Sequence, residues 1–368
     1  MRIAFAIVSL FPWGGLQRDC VRLARLVAAR GHSVKIFASR TKGEFPEDLP
    51  LELLPVSAYT NHGRNRRFAD LLGQAVAGRF DRIVGFDKLP GLDILYCADP
   101  CYLDRRSCFF VRFTPRWWTF KTLEAACFTP EARTRILAIT IPLTEGYRRM
   151  WNTPSERITV LPPVVDSKRR HPEMRGNGTR ERLRATLGLV REHFAWLLIG
   201  SQPHVKGIDR AIEALRDVPA ARLIIAGLSA GSVEAAPLLR QARGLGVRER
   251  VSLLGPREDI AELMAAADLL VHPARFDTSG TVILEAVVNG LPVLATEVCG
   301  YSIHISRADA GIVVAEPFRR PAFREALAVA SDPVWRAHWS GNGAAYGANP
   351  ELYSGLDKAA DIIVGSDR

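Results

Sequence analysis

Long apolar runs are absent from this chain of 368 residues. No stretch reaches the roughly 18 consecutive apolar residues that a membrane-spanning helix needs, so the sequence predicts no such helix. The N-terminus is basic and then apolar, but no small-residue cleavage site follows it. We therefore interpret it as a first strand rather than a signal peptide. Attachment to a membrane surface stays open.

Cysteine is scarce as well, with six residues at positions 20, 97, 101, 108, 127 and 299. They form no paired C-x-x-C motif and have no clustered histidine, which favours buried, reduced thiols over a metal site. A third spaced glycine is missing after Gly14 and Gly15, so the dinucleotide fingerprint is absent and NAD is not expected. The sequence therefore predicts neither a metal nor another cofactor.

Apolar residues make up 48% of the chain, and its formal net charge is +10. The length and the apolar content suffice for two domains with a core each. The positive charge favours an anionic partner, such as a phosphosugar, an anionic membrane surface or a nucleic acid. No nucleic-acid-binding module is recognisable, so a nucleic acid is the least favoured of the three.

The apolar pattern predicts an α/β fold with two doubly wound, Rossmann-like domains facing a central crevice. We place the first domain at 1–165, the second at 166–345, and at 346–368 a C-terminal helix that crosses back to the first domain. A polar basic loop is predicted from Asn61, as a solvated loop or as a contact to an acceptor phosphate or sugar. The polar segment from Lys168 to Arg182 is predicted to be the linker.

The stretch 272–290 gives the strongest indication of a functional site. An apolar strand ends at the start of this stretch. A loop with Asp277 and Gly280 follows, and an apolar helix ends the stretch. Gly280 and Thr281 lie at the helix N-terminus, where backbone N–H groups can bind an anion. Asp277 and Glu285 flank the turn, and carboxylates there would accept hydrogen bonds from sugar and ribose hydroxyls. The pattern indicates a sugar-nucleotide site, although a loop acid and a buried helix glutamate would also explain it.

Two more residues are candidates for the site. Lys206 lies at a predicted helix N-terminus in the second domain, placed like a lysine that binds a diphosphate, or else it is a surface lysine. Asp19 lies on the first turns of the first helix, near the carboxyl edge of the predicted sheet. It is either a site residue or an acid that complements the helix dipole.

Residues 104–121 interleave cations with aromatic side chains. The members of this segment that would contact a membrane are Arg105, Arg106, Arg112, Arg116, Trp117 and Trp118. A basic and aromatic segment suits the surface of anionic lipid, which is the interpretation we favour. Packing of the aromatic rings on the segment's own domain and stacking on single-stranded nucleic acid are the alternatives.

Several stretches are similar to one known family. They are FPWGGLQRD from residue 11, RGHSVKIF from 30, NHGRN from 61, GFDKLPGLD from 85, KGIDRAIEAL from 206, ELMAAADLLVHPA from 262 and GTVILEAVVNGLPVLATEVCGY from 280. Together they resemble, nearly end to end, the bacterial lipopolysaccharide core glucosyltransferases of glycosyltransferase family 4. The resemblance implies the GT-B fold, a nucleotide-sugar donor on the second domain and retention of anomeric configuration. It also implies a cytoplasmic enzyme, peripheral on the cytoplasmic face of the inner membrane.

In the first domain, the resemblance matches Gly14 and Gly15 to the loop near the donor phosphates. It matches Asp19 and Asp99 to acidic residues near the reacting sugar. No Asp-x-Asp sequence occurs, so the metal-diphosphate motif of the other major glycosyltransferase fold is absent.

In the second domain, the resemblance matches Arg169 and Lys206 to basic residues near the diphosphate and Glu285 to the second glutamate of an E-x7-E motif. The first glutamate of that motif is Asp277 here, one methylene shorter, which affects the choice of donor sugar. The position before Lys206, basic in some relatives, is Val205.

The expected activity is transfer of a hexose, glucose from UDP-glucose, onto an inner-core heptose of lipopolysaccharide, with Asp19, Asp99 and Asp277 at the reaction centre. The expected partners are UDP-glucose, the lipopolysaccharide acceptor and the anionic inner-membrane surface. Two alternatives remain: a nucleotide-sugar 2-epimerase on the same fold, and a non-catalytic protein that binds carbohydrate or a lipid surface.

Overall fold

The computed structural model describes residues 1–11, 14–45, 47–104 and 109–365. The chain forms two compact units, one of Met1–Val164 with Tyr353–Arg368 and one of Val165–Leu352. The C-terminal segment thus joins the first unit from Tyr353 onward. None of the helices in the described parts of the chain has the length and hydropathy that crossing a bilayer requires.

The first unit is built on a parallel sheet of seven strands. They are β1 (Arg2–Leu10), β2 (Ser33–Thr41), β3 (Leu51–Leu53), β4 (Arg82–Gly85), β5 (Ile94–Cys97), β6 (Arg135–Ala138) and β7 (Ile158–Val160), in the order β3-β2-β1-β4-β5-β6-β7. The central strand β1 is almost continuously apolar because helices cover both faces of the sheet.

Four helices of the first unit follow in chain order: α1 (Gly15–Ala29), α2 (Asn61–Val76), α3 (Pro115–Phe128) and α4 (Ile141–Trp151). The predicted loop from Asn61 is wrong, because α2 begins there. The Thr60 hydroxyl caps this helix by accepting from the Gly63 N–H, and Phe68, Leu72 and Val76 bury one face at helical spacing.

The second unit repeats the architecture. Its strands are β8 (Phe194–Ile199), β9 (Ala221–Ala226), β10 (Val251–Gly255), β11 (Leu269–His272), β12 (Val293–Thr296) and β13 (Gly311–Val314), parallel and in the order β10-β9-β8-β11-β12-β13. Its helices are α5 (Thr179–Thr186), α6 (Pro203–Lys206), α7 (Ile208–Ala214), α8 (Ala235–Gly244), α9 (Ile260–Ala266), α10 (Thr281–Val288), α11 (Ser302–Ala308), α12 (Arg320–Ala330) and α13 (Pro333–Tyr346).

The predicted linker, Lys168 to Arg182, is part of the second unit instead. Short 3-10 turns and the start of α5 occupy it. Arg175 and Arg180 donate to the carbonyl groups that end α9, including Ala265 O and Ala267 O. These arginines make the segment polar, as a linker would be. In the structure they donate hydrogen bonds to carbonyl groups at a helix end, which have no partner within the helix.

The last helix, α14 (Gly355–Val364), packs on α1 in the first unit. Arg30, just after α1, pairs with Asp357 at 3.1 Å and with Asp361 at 3.0 Å on α14. Leu356, Ile362 and other apolar residues of α14 are buried in the core of the first unit.

Both sheets reverse their strand order beside their first strand. The reversal lies between β1 and β4 in the first unit and between β8 and β11 in the second. Loops that leave the carboxyl ends of such neighbouring strands diverge to opposite faces, which leaves a crevice where ligands of open α/β sheets bind. Among the candidate residues, Lys206 follows β8 and Asp277 follows β11.

Candidate active site

The reversal point of the second unit brings Lys206 and Asp277 together. Lys206 ends α6, on the loop after β8, and Asp277 lies on the loop after β11. Gly207 makes this approach possible: its φ is +69°, and a Cβ there would lie 1.9 Å from the carbonyl oxygen of Pro273. Only glycine fits that conformation and contact without a shift of the backbone.

The Asp277 carboxylate is surrounded by donors. Its Oδ2 lies 2.5 Å from Lys206 Nζ and 2.8 Å from His272 Nε2, and its Oδ1 accepts from the Gly280 N–H at 3.0 Å. Burial alone would raise the pKa of Asp277, but the His272 hydrogen bond and the Lys206 charge outweigh it and lower that pKa. Asp277 is therefore an anion that orders the loop and holds Lys206.

His272 was not predicted as a site residue. It is fully buried, and burial lowers its pKa, so the ring is neutral and donates from Nε2 to Asp277. Within the described residues its Nδ1 has no hydrogen-bond partner. The signal was present in the sequence, because His272 is the one polar residue at the end of a continuous apolar strand.

A possible metal-binding group lies at the same place. One donor atom each from His272, Asp277 and Cys299 lies within 4.8 Å of the others. The Lys206 ammonium already contacts the Asp277 carboxylate, and burial raises the pKa of the Cys299 thiol to about 12. A metal ion would have to compete with that cation and displace the thiol proton, so the residues suit a fixed ammonium better. The expectation that no metal is needed stays a prediction.

Gly280 and Thr281 form the start of α10 as predicted. Gly280 is the N-cap, with a φ of +67°. Its own N–H donates to Asp277 Oδ1, so this amide orders the loop and is not directed to a ligand. Thr281 begins the helix, and its hydroxyl lies 3.2 Å from that of Ser279.

Glu285 and Arg169 line a second part of the site. Glu285, on α10, is 7% exposed, and its Oε1 lies 3.1 Å from a guanidinium nitrogen of Arg169. Asn289 fixes the segment that carries Arg169 by donating to Arg169 O and accepting from the His171 N–H. These residues border a cavity of about 200 Å³, lined further by Lys168, Met174 and the acidic stretch 258–262.

The reversal point of the first unit borders a polar cavity of about 270 Å³. Its lining is rich in amides, carboxylates and aromatic rings and consists of Val8, Ser9, Gln17, Asn61, Asn65, Asp87, Lys88, Asp99, Tyr102, Arg116, Phe120 and Leu123. Amides and carboxylates that hydrogen-bond hydroxyls, next to aromatic faces, are the groups that recognise sugars. Asp99 and Asn61 are among these lining residues, and the role predicted for Asp99 near the reacting sugar stays a prediction.

Asp87 is one of the residues of this cavity that the sequence analysis did not assign to the site. Its carboxylate accepts from the Val8 N–H at 2.6 Å. Burial, reinforced by the charge of Asp99, raises the pKa of Asp87 to about 6 despite that hydrogen bond and the nearby Lys88. The available signal was that Asp87 follows β4 as Asp99 follows β5.

Asp19 does not line this cavity. Its carboxylate accepts from the hydroxyl of Tyr96, a fully buried residue of β5, at 2.9 Å. That Gly14 and Gly15 lie near the donor phosphates stays a prediction. A Cβ on Gly14 would lie 1.8 Å from the Gln17 carboxamide oxygen, so Gly14 allows a close approach, whereas Gly15 faces open space.

The basic and aromatic segment forms a 3-10 turn at 109–113 followed by α3. Phe109, Phe110, Phe113 and Trp118 are 62, 75, 69 and 55% exposed, so these four rings are not packed on their own domain. Trp117 is half-buried, and Lys121 Nζ lies 5.0 Å from the centroids of both tryptophan rings. Arg105 and Arg106 lie outside the described residues.

Two family descriptions match the chain. Residues 13–169 match "Glycosyltransferase Family 4", and residues 179–343 match "Glycosyl transferases group 1". A curated relative, the lipopolysaccharide glucosyltransferase WaaG of Escherichia coli (strain K12), is 38% identical over 99% of both chains. The resemblance found in the sequence is confirmed over nearly the whole chain.

Solved structures agree with this relationship. The crystal structure of WaaG superposes with a TM-score of 0.92, at 37% identity, and the match covers 99% of this chain and 100% of that one. Anabaena HepE, in complex with UDP-glucose, matches over 100% of both chains with a TM-score of 0.77 at 19% identity, which supports the fold alone. The predicted fold class, two Rossmann-like units of the GT-B type, is confirmed.

Proposed function

The chain belongs to glycosyltransferase family 4, and on that premise we propose that it transfers glucose from UDP-glucose to an inner-core heptose of lipopolysaccharide with retention of configuration. The observation that supports this most directly is the fixed Lys206 ammonium at the reversal point of the second sheet, 2.5 Å from Asp277. A buried carboxylate holds this cation beside the start of a helix, which suits a diphosphate.

In the proposed donor complex, Lys206 contacts the diphosphate, and its charge stabilises the phosphate as the sugar–phosphate bond breaks. The Thr281 end of α10 adds its helix dipole. Glu285 accepts from the ribose hydroxyls, and Arg169 adds a second cation near the phosphates. Because these groups supply the positive charge, the proposed reaction requires no metal.

The transfer step that we propose is a front-face displacement. The acceptor hydroxyl attacks the anomeric carbon on the side from which UDP departs, and the departing phosphate oxygen accepts the hydroxyl proton. One glycosidic bond forms as the sugar–phosphate bond breaks, so no enzymic nucleophile is needed. The protein's part is to hold both substrates and to stabilise the leaving group.

The polar cavity of the first unit is the proposed site for the acceptor sugar. Asp87 and Asp99 would accept hydrogen bonds from its hydroxyls. The rings of Tyr102 and Phe120, with centroids 5.1 Å apart, supply the apolar surface on which a sugar ring packs.

The exposed rings of 109–113 and Trp118 support the proposed peripheral attachment to an anionic membrane. Arg112 and Lys121 lie beside them, and aromatic rings with cations suit the headgroup region. In this proposal the enzyme works on the cytoplasmic face of the inner membrane, where it would meet a lipid-anchored acceptor.

A donor screen with purified truncated core as the acceptor tests the proposal. UDP-glucose, UDP-galactose and UDP-N-acetylglucosamine are compared by UDP release, and NMR of the product gives the anomeric configuration. We expect acceptor-dependent release from UDP-glucose, an α-linked product and the same rate in EDTA. Turnover of UDP-N-acetylglucosamine without acceptor would indicate a 2-epimerase, and binding without turnover a non-catalytic protein.

A further inference from the structure

Arg116, which the sequence predicts to contact a membrane, lies on the wall of the polar cavity in the first unit. Its neighbour Arg112 is not part of that wall, although both arginines are exposed and each lies over an aromatic ring. The Arg112 guanidinium is 5.8 Å from the centroid of Phe109, and that of Arg116 is 5.4 Å from the centroid of Phe120. Arg112 and Arg116 therefore have different surroundings, although they are similar side chains on one segment.

The other cation of the cavity is already neutralised. Lys88 Nζ donates to Glu124 Oε1 and to Pro100 O, both at 2.7 Å, and its side chain is 16% exposed. Lys88 is therefore a structural cation, and its charge is matched by a fully buried carboxylate. No hydrogen bond or ion pair is formed by the Arg116 side chain with the described residues, and this side chain lines the cavity.

Glu124, two turns after Arg116 on α3, anchors this helix beside the cavity. Oε1 of Glu124 also accepts from the Tyr102 N–H at 2.7 Å, and Oε2 accepts from Trp151 Nε1 at 3.0 Å and from the Leu103 N–H at 3.3 Å. These bonds tie α3 to the loop after β5 and to α4. Breaking them would bury an uncompensated charge, so α3 holds a set position beside the cavity.

The aromatic column on this wall orients the guanidinium. Arg116 lies over Phe120, and Phe120 lies against Tyr102. A guanidinium at cation–π distance from a ring keeps N–H donors available for other partners, in the fork that matches a carboxylate or a phosphate. Arg116 thus offers a contact for an oxyanion at a cavity whose other groups suit sugar hydroxyls.

We propose that Arg116 is a specificity-determining residue that binds an oxyanion, a carboxylate or a phosphate, carried by the acceptor sugar chain. The proposal rests on the assignment of this cavity to the acceptor. A lipid headgroup could offer the same chemistry, but Arg116 shares its cavity with Asp99 and Asn61, which favours a ligand that also presents hydroxyls.

The test measures binding by calorimetry and transfer from UDP-glucose, with two soluble core fragments that differ only in the anionic substituent. The variants are Arg116→Ala and, as the matched control, Arg112→Ala. We expect the parent to bind the anionic fragment about two- to fivefold more tightly, as for an exposed ion pair. Arg116→Ala should lose this preference without a change in donor KM, and Arg112→Ala should keep it.

Three results would overturn the proposal: equal binding of the two fragments by the parent, a preference that survives in Arg116→Ala, or an equal loss in both variants. Loss of vesicle binding by Arg116→Ala with an intact fragment preference would assign the arginine to the lipid headgroup instead. Carboxylate-bearing and phosphate-bearing fragments tested separately identify the oxyanion. If the parent prefers the anionic fragment but transfers no hexose, the proposed function fails and the subsite stands.

Discussion

Lys206 Nζ lies 2.5 Å from Asp277 Oδ2, and the two residues come from loops that follow neighbouring strands of the second sheet. The same carboxylate oxygen accepts from His272, so one anion orders both the lysine and the strand end. Lys206 and Asp277, the basic and the acidic candidate of this site, therefore act together. Their effects on catalysis should be coupled, because removing either one changes the position or the charge of the other.

A double-mutant cycle tests this coupling. Lys206→Met should lower kcat/KM for UDP-glucose about 100-fold, the effect of removing one stabilising group from a developing oxyanion. Asp277→Asn should cost less, and the double variant should be little worse than Lys206→Met, since Asp277 acts through Lys206. Steady-state UDP release measures all four enzymes. Strictly additive losses of kcat/KM would show that Lys206 and Asp277 act independently.

Asp277→Glu should change the preference among donor sugars and leave an active enzyme. The longer side chain advances the carboxylate by about 1.5 Å, the length of one C–C bond. It would then reach past Lys206 and His272 toward the ligand. The relative rates with glucose, galactose and N-acetylglucosamine donors are the measurement. Unchanged ratios of these rates would mean that residue 277 does not discriminate among the donor sugars.

Glu285→Ala should lower kcat/KM for the donor about 10- to 100-fold, because a charge-assisted hydrogen bond to the ribose is worth about 1.5–3 kcal/mol. Arg169 loses its carboxylate partner at 3.1 Å in the same variant, so the melting temperature must be measured beside the kinetics. Glu249→Ala, an exposed acid of the same unit, is the control. If both variants keep the parental donor KM, Glu285 has no role in donor binding.

The second-unit site could be predicted from the sequence because its signals are local. Asp277, Gly280 and Glu285 follow one apolar strand and lie at the start of one helix, so a single strand–loop–helix pattern predicts their placement. Lys206 was found in the same way, after β8. What the pattern could not give is the 2.5 Å contact between Lys206 and Asp277, which depends on the reversal of strand order between β8 and β11.

The first-unit cavity shows where local reasoning fails. Its lining comes from β1, α1, α2, α3 and the loops after β4 and β5, and only the sheet order brings these together. Asp19 has a suitable position on α1, yet Tyr96 holds it elsewhere, while Asp87 has the same local pattern as Asp99 and was missed. The prediction of a loop from Asn61 was wrong because six polar residues give no apolar pattern at the start of the helix that Thr60 caps.

Asp87→Asn should change stability in a pH-dependent manner. The pKa of Asp87 rises from an ordinary value of 3.8 to about 6, so the folded protein binds this proton more tightly than the unfolded chain. Its contribution to stability is therefore fully present below pH 3.8 and is lost as the pH rises through about 6. Asparagine has no such loss, so the variant should melt roughly 2–4 °C above the parent at pH 7.5.

That advantage should be smaller near pH 4.5, where most of the Asp87 contribution is still present, and calorimetric melting at both values is the measurement. Asp70→Asn, at an exposed site on α2, should show no pH-dependent difference from the parent. A shift of Asp87→Asn that is the same at both pH values would show that Asp87 does not titrate in this range.

The exposed rings of the first unit lead to a prediction about membrane binding. Phe109, Phe110 and Phe113 are between 62 and 75% exposed, so replacing all three with serine should cost little stability. Each ring that enters the headgroup region adds apolar burial, up to about 1.5–3 kcal/mol when fully buried. Nearby cations add about 1 kcal/mol each at an anionic leaflet, and salt screens that part.

We therefore expect the parent to sediment with anionic vesicles at low salt and less at high salt, and the triple serine variant to bind at least tenfold more weakly even at low salt. A matched triple variant replaces Val233, Val334 and Trp335, which are exposed apolar residues of the second unit, with serine. It should bind vesicles like the parent, and both triple variants should turn over a soluble acceptor at the parental rate. Equal sedimentation of the two triple variants would place the membrane contact on another surface.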